Sequence, residues 1–288
     1  MSRIRSCSRS CFSWRDGGRE RRTQSRGSYL ANGKCIWCLG DTTDGYVEHI
    51  IPVGVGGFDE FALDSSVVCG PCNNGLAHLD RAVVDEYDTS AFLARVPRRG
   101  GKPPAIRSRG NLVATIESTG PTITFNMEQF AVSAHDGTTA GAYRGSPRNV
   151  NAKLEIDGSI AKISFKQAFG ASPKFVRGVT KIAFSFLAFL KGAATAREPK
   201  YDPIRQFVRY GVGVRHAMLL ACDDRKYQCG PASLWETETD EYAVQFRIGH
   251  IDFLVDLTEV EHLMPTFEST MRDAFGASGW TVLPVASA

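Results

Sequence analysis

Four cysteines fall in two pairs, Cys35-x-x-Cys38 and Cys69-x-x-Cys72, with 30 residues between the pairs. A two-residue gap lets both thiolates of a pair reach one metal ion. Two such pairs complete the tetrahedral sulfur shell that zinc favours. Four sulfurs leave no open position, so the ion is expected to be structural, stapling a small Gly-rich segment with little core of its own. Disulfides or free thiols are the other reading of the four residues. The first residues lack the apolar stretch of a secretory signal, and in a reducing compartment paired cysteines point to metal. Cys7, Cys11, Cys222 and Cys229 stand apart and take no assigned role.

Between the pairs stands Glu48-His49-Ile50-Ile51-Pro52, followed by Gly54, Gly56 and Gly57, and Asn73-Asn74 comes directly after the second pair. Metal-assisted phosphodiester hydrolysis needs a divalent ion on the phosphate and a base for the attacking water. Glu48 and Asn73 offer oxygen to a hard cation whose remaining ligands are water and phosphate. His49 supplies an imidazole, the side-chain type suited to base catalysis near neutral pH. Adjacent side chains of a regular strand point to opposite sides, so an irregular turn is required for both to face one phosphate. Pro52 and the glycines permit one. A histidine on a partly apolar segment is more often structural than catalytic, and its position between the cysteine pairs is what favours catalysis here.

The stretches "CIWC", "EHIIPVGVGG" and "VVCGPCNNGLAHLD" resemble the HNH endonucleases, the zinc-knuckle type of the ββα-metal nucleases. The resemblance spans about residues 35–80. It implies a hairpin and one helix around a catalytic divalent ion, magnesium or manganese with other divalent ions possible. It also implies DNA as the substrate. Carried over by position, His49 is the general base, and Glu48 and Asn73 are ligands of the catalytic ion. The family's middle Asn falls near residue 64, where the chain reads Asp64-Ser65-Ser66, so Asp64 is the candidate partner of the imidazole. The family's last metal position falls on Leu76 or Ala77. Asn74 and His78, four apart on one helix face, form a candidate shifted pair. Glu-His-x-x-Pro recurs at Glu261–Pro265 without cysteines around it and is read as chance. The departures leave two alternatives. One is a zinc-knuckle DNA-binding module with a decayed catalytic site. The other is a structural zinc unit serving the rest of the chain.

The elements that must position these residues can be read more coarsely. The fold class expected is α+β: a small zinc-stapled ββα unit followed by a larger α+β domain. After Cys72, Leu76, Leu79, Val83 and Tyr87 recur at spacings of three and four, predicting a helix. Residues 111–166 alternate in strand fashion, and Pro173 and Pro203 are placed to start helices. The run "IAFSFLAFL" at 182–190 is too short to span a bilayer and reads as a buried helix. Within residues 214–257 the stretches "VRHAMLLAC", "EYAVQFRIG" and "HIDFLVDL" read as strands again. The expected division is a disordered basic tail at 1–28, the zinc-knuckle domain at 29–92, a basic Gly/Pro linker at 93–110 and the α+β domain at 111–288.

Charge is uneven along the chain. Residues 1–34 hold nine Lys/Arg against two Asp/Glu, whereas the remainder holds 25 against 29. Residues 35–80 carry seven Asp/Glu and no Lys or Arg, a balance that repels a polyanion. Phosphate contacts are therefore expected from Arg95, Arg98, Arg99 and Lys102 in the linker, and from the basic tail. Such contacts give salt-sensitive, sequence-independent affinity. Nothing in the sequence points to a membrane, and a cytoplasmic protein is expected.

Overall fold

The computed structural model describes residues 5–6, 33–42, 46–94, 96–97, 106–109, 112–117, 120–125, 142–144, 151–157, 160–166, 170, 172–221, 227–275 and 280–283. In chain order the elements are β1 (Arg5–Ser6), β2 (Glu48–His49), β3 (Ala62–Leu63), α1 (Gly70–Leu93), β4 (Ile106–Arg109), β5 (Leu112–Glu117), β6 (Gly120–Phe125), β7 (Ala142–Arg144), β8 (Asn151–Asp157) and β9 (Ile160–Lys166). They continue with α2 (Pro173–Lys191), α3 (Ala193–Ala196), α4 (Asp202–Tyr210), β10 (Ala217–Ala221), β11 (Gln228–Glu236), β12 (Tyr242–Gly249), β13 (Ile251–Asp256), α5 (Met264–Phe275) and β14 (Trp280–Leu283). The chain is α+β, as its pattern predicts. Strands β10–β14 and β1 form an antiparallel sheet in the order β1-β11-β12-β13-β10-β14, and β4–β6 and β7–β9 form two three-stranded sheets. Arg5–Ser6, within the stretch expected to be unstructured, pairs with Trp235 and Glu236 at the edge of the large sheet.

Helix α2 is the centre of the molecule. Its sequence is apolar on almost every face, and residues Phe175 to Ala188 are buried apart from Arg177. A helix apolar all round must be covered on more than one side. On one side lies the six-stranded sheet, where Phe175 meets Phe253 and Phe186 meets Phe246 at ring distances of 6.1 and 5.9 Å. On the other lies the cysteine-bearing region, with Trp37 5.1 Å from Phe184 and Phe61 6.0 Å from Phe186. The opposite face of the sheet, Met218, Ala243 and Leu254, is closed by Leu263, Met264 and Phe267 at the start of α5.

Helix α1 crosses α2 at Gly178. A Cβ there would stand 2.7 Å from Val83 Cγ2 and 2.9 Å from the Leu79 carbonyl oxygen, so only glycine permits this approach. The expected stripe Leu76, Leu79, Val83 and Tyr87 is buried throughout and is the face that α1 turns inward. One continuous core runs from Cys35 through α1 and α2 to Val255 and Leu283. The boundary expected at 93–110 thus separates two stretches of sequence that share a single interior. Among the described residues no helix is long and apolar enough to cross a membrane.

Candidate metal centre and hairpin histidine

The first cysteine pair sits in a tight turn closed by backbone hydrogen bonds. The Cys35 N–H donates to the Gly40 carbonyl at 2.7 Å, and the Leu39 N–H to the Cys35 carbonyl at 2.9 Å. Leu39 takes the left-handed conformation, φ 60°, that such a turn requires. The Trp37 N–H points at Cys35 Sγ at 3.4 Å. The second pair straddles the start of α1: Cys69 precedes the helix and Cys72 lies in its first turn. The positive end of the helix dipole therefore faces the sulfurs and favours their thiolate form.

All four Sγ atoms lie within 4.8 Å of one another, and Cys38 and Cys69 approach to 3.6 Å. None is in a disulfide. Zinc–sulfur bonds of about 2.3 Å in a tetrahedron require sulfurs about 3.8 Å apart. The cluster therefore fits a four-coordinate soft cation such as zinc with little rearrangement. The hydrogen bond from Cys72 pulls the Cys35 thiol down to about 4 against the effect of burial, while the same contact pushes Cys72 well up. The site already stabilises one thiolate at the expense of its neighbour's ionisation, and a bound cation would favour all four. Three of the four cysteines are buried, and Cys38 is half-buried.

The chain between the pairs forms a two-residue hairpin, Glu48 opposite Leu63 and His49 opposite Ala62. The pleat is regular here, so Glu48 and His49 point to opposite faces. Glu48 turns inward and is 3% exposed. Its Oε1 lies 2.7 Å from Nζ of Lys181, in the middle of α2. The Lys181 ammonium donates hydrogen bonds to both carboxylate oxygens of Asp80 on α1, at 2.8 and 2.9 Å. Its contact with Glu48 is an ion pair only, and the Glu48 oxygens accept no hydrogen bond of good geometry. Burial pushes the Glu48 carboxyl above its ordinary value, with Lys181 pulling against it. Burial draws the Lys181 ammonium down, but Glu48 and Asp80 together raise it above its ordinary value.

This corrects the role expected for Glu48. It does not face Asn73 across an open site, because the regular strand pleat aims it at the interior and an ammonium occupies it there. The irregular turn follows the hairpin instead of bending it. Gly57, where a Cβ would fall 1.9 Å from the Ile51 carbonyl oxygen, lets the loop fold back after Pro52.

His49 turns outward. Its Nε2 is 2.8 Å from Asp59 Oδ1, with the histidine side chain 31% exposed and the aspartate fully in solvent. Asp64, expected to partner the imidazole, instead accepts from the Ser66 N–H at 2.7 Å and from the Ser66 hydroxyl. Its carboxylate closes its own turn, a local option always open to Asp. Asn73 is half-buried in the first turn of α1, and Asn74 is exposed one residue on. His78, exposed on the same helix, donates Nδ1–H to the Gly75 carbonyl at 2.8 Å. Among the described residues the four cysteines are the one group of metal-ligand type brought together. Arg95, Arg98, Arg99 and Lys102 lie outside the described residues. The second Glu-His pair does local work: Glu261 accepts from the backbone N–H and the Nδ1 side of His216, at 2.7 and 2.8 Å.

The C-terminal region grips the cysteine-bearing unit at several points. Tyr227 Oη and Cys229 Sγ both donate to the Val55 carbonyl in the Gly-rich turn, at 2.9 and 3.0 Å. Arg209 reaches the Trp37 carbonyl at 3.4 Å and Arg197 the Ser66 carbonyl at 3.3 Å. Two participants were missed in the sequence. Asp59 carries no signal beyond being an acid ten residues after His49. Lys181 did carry one, as a charge beside the apolar run at 182–190 must have an anionic partner if it is buried with that run.

Comparison of the chain with protein-family models, with curated proteins and with solved structures found no match.

Proposed function

We propose that the protein is an HNH-type endonuclease that hydrolyses phosphodiester bonds in DNA, with His49 as its general base. The observation that carries this reading is the orientation of His49. It stands on a hairpin held between the two cysteine pairs, faces solvent, and has its Nε2 fixed on Asp59. With Nε2–H donated to the carboxylate, Nδ1 is the nitrogen that can accept a proton from water. Asp59 sets that tautomer and stabilises the imidazolium that forms. The four cysteines hold zinc and keep the hairpin and the head of α1 in register.

The reading retains a magnesium or manganese requirement, which the sequence resemblance supplies. When bound, such an ion stabilises charge developing on the phosphate. Glu48 is not its ligand. Asn73 is the protein oxygen donor that remains from the expected pair. The nuclease reading expects Glu48, His49 and Asn73 to converge on one open point, so the burial of Glu48 against Lys181 counts against it and favours a second reading, a zinc-stapled module that binds DNA without cutting it.

One experiment separates them. Purified protein is incubated with supercoiled plasmid, with and without magnesium or manganese, beside His49→Ala. The nuclease reading expects metal-dependent nicking or linearisation that His49→Ala abolishes while zinc content is unchanged. Binding without cleavage in both proteins supports the second reading, and absence of binding overturns both.

A further inference from the structure

We infer that Lys181 is a positioning residue for His49, acting through Glu48, so that the C-terminal region is a working part of the site. The inference rests on the nuclease reading for its kinetic consequence but has a structural consequence of its own.

Strand β2 is two residues long and pairs with a strand equally short. So few ladder bonds hold a strand's twist poorly, and a marginal hairpin needs packing to fix it. Glu48 and His49 are consecutive, and their side chains leave the backbone in opposite directions. Anchoring one face therefore fixes the direction of the other. The anchor on the inner face is an ammonium 1% exposed, contributed from 133 positions away in sequence.

The ammonium also joins the hairpin to α1. It contacts Glu48 on β2 and Asp80 on α1, and so spans the strand that carries His49 and the helix whose first turn carries Asn73. Lys181 itself sits on the helix that forms the centre of the core, which cannot shift without disturbing both of its packed faces. His49 is thereby referred to a rigid element through a single buried charge cluster. The outer contact, His49 with Asp59, offers no such anchor, since the Asp59 side chain is fully in solvent.

The test compares two ways of breaking the cluster. Lys181→Met removes the anchor of Glu48, whereas Asp80→Asn leaves Glu48 paired and removes only the ammonium's other partner. Hydrogen exchange is followed at the Ile50 amide, which donates to the Phe61 carbonyl beside the hairpin at 2.9 Å. Plasmid cleavage is measured well below the melting temperature of each protein. Lys181→Met is expected to lower Ile50 protection by at least about tenfold relative to amides in α2. It should also lower kcat by about ten- to a hundredfold with KM little changed, as misplacement of a catalytic group does. Asp80→Asn should leave both close to wild type. If Lys181→Met does not fold, Glu48→Ala cuts the same link while leaving Lys181 paired with Asp80, and the same loss of Ile50 protection is expected.

Unchanged Ile50 protection when the Glu48 link is cut overturns the inference. So does an equal effect of Asp80→Asn on protection and kcat, since a merely stabilising cluster would respond to either change. If the wild-type protein cuts no plasmid, the nuclease reading fails, and Ile50 exchange alone then decides the inference.

Discussion

The cysteine pairs and the hairpin between them treat their polar side chains in opposite ways. At the pairs, four sulfurs from two distant turns converge within 4.8 Å. In the hairpin, two neighbours in sequence diverge, Glu48 into the core and His49 into solvent. The difference lies in the local backbone. A two-residue gap in a turn, or at a helix start, brings side chains to one side. A one-residue step in a strand sends them to opposite sides. Proximity in sequence produces proximity in space only where the chain curls.

The largest effect should come from the convergent region. Replacing Cys72 with Ser, or stripping the metal with a chelator, removes the staple of a unit whose own elements are short. Zinc should fall below one equivalent, and the melting temperature should drop by more than about 10 °C, reading metal-binding free energy as folding free energy. Elemental analysis and a thermal melt check both parts. A protein that kept its stability without zinc would remove the distinction drawn between the two regions.

Next comes the divergent region's inner face. Lys181→Met leaves the Glu48 and Asp80 carboxylates without their ammonium, and removing one partner of a buried ion pair costs about 3–5 kcal/mol. Denaturant unfolding measures this loss. Adding Glu48→Gln to the Lys181→Met variant should recover part of it, because one of the stranded charges is then neutral. A smaller loss, about 1–3 kcal/mol, is expected for Gly178→Ala, which forces α1 away from α2 at Leu79 and Val83. It should lower stability without altering zinc content.

The smallest effect should be at Lys191, ten residues along the same helix as Lys181. Its Nζ lies 2.9 Å from Glu236 Oε2 in a pair that solvent reaches. Lys191→Ala should therefore cost no more than about 0.5 kcal/mol, less at high salt. The hydrogen bond from Lys191 holds the Glu236 carboxyl below its ordinary value. Its contribution is thus present above about pH 4.3, the unfolded carboxylate value, and is lost as pH falls through the lower folded value. Titrating the stability of wild type and Lys191→Ala across that acid range should show the two curves converge at low pH.

Much of this architecture was legible before any coordinates. The convergence of the four cysteines on one point followed from their spacing alone. Helices α1, α2 and α4 followed from apolar periodicity and from Pro173 and Pro203. Strands β5, β6, β8, β9, β10, β12 and β13 followed from alternation. The strand Gln228–Glu236 was not read, since Gly230 and Pro231 interrupt its pattern. Register slips between Pro231 and Ser233, where the structure shows an irregularity that no propensity encodes. Helix α5 is not among the elements expected from the sequence. At the site, His49 was legible and the fate of Glu48 was not. Strand alternation had flagged the conflict, but its resolution needed Lys181, whose partners lie 101 and 133 positions away. The neighbour that decides the place of Glu48 is tertiary, not local in sequence.

The account's central claim is that Glu48 and His49, adjacent in sequence, have separate tasks, one as an internal anchor and one as the base. The most direct test is the magnesium dependence of plasmid cleavage by wild type, Glu48→Gln and His49→Ala. The claim predicts that Glu48→Gln, which loses the ion pair with Lys181, cuts more slowly but with the same half-saturating magnesium concentration as wild type, and that His49→Ala cuts nothing at any magnesium concentration. A Glu48→Gln protein that needs markedly more magnesium, or a His49→Ala protein that still cuts, would contradict it.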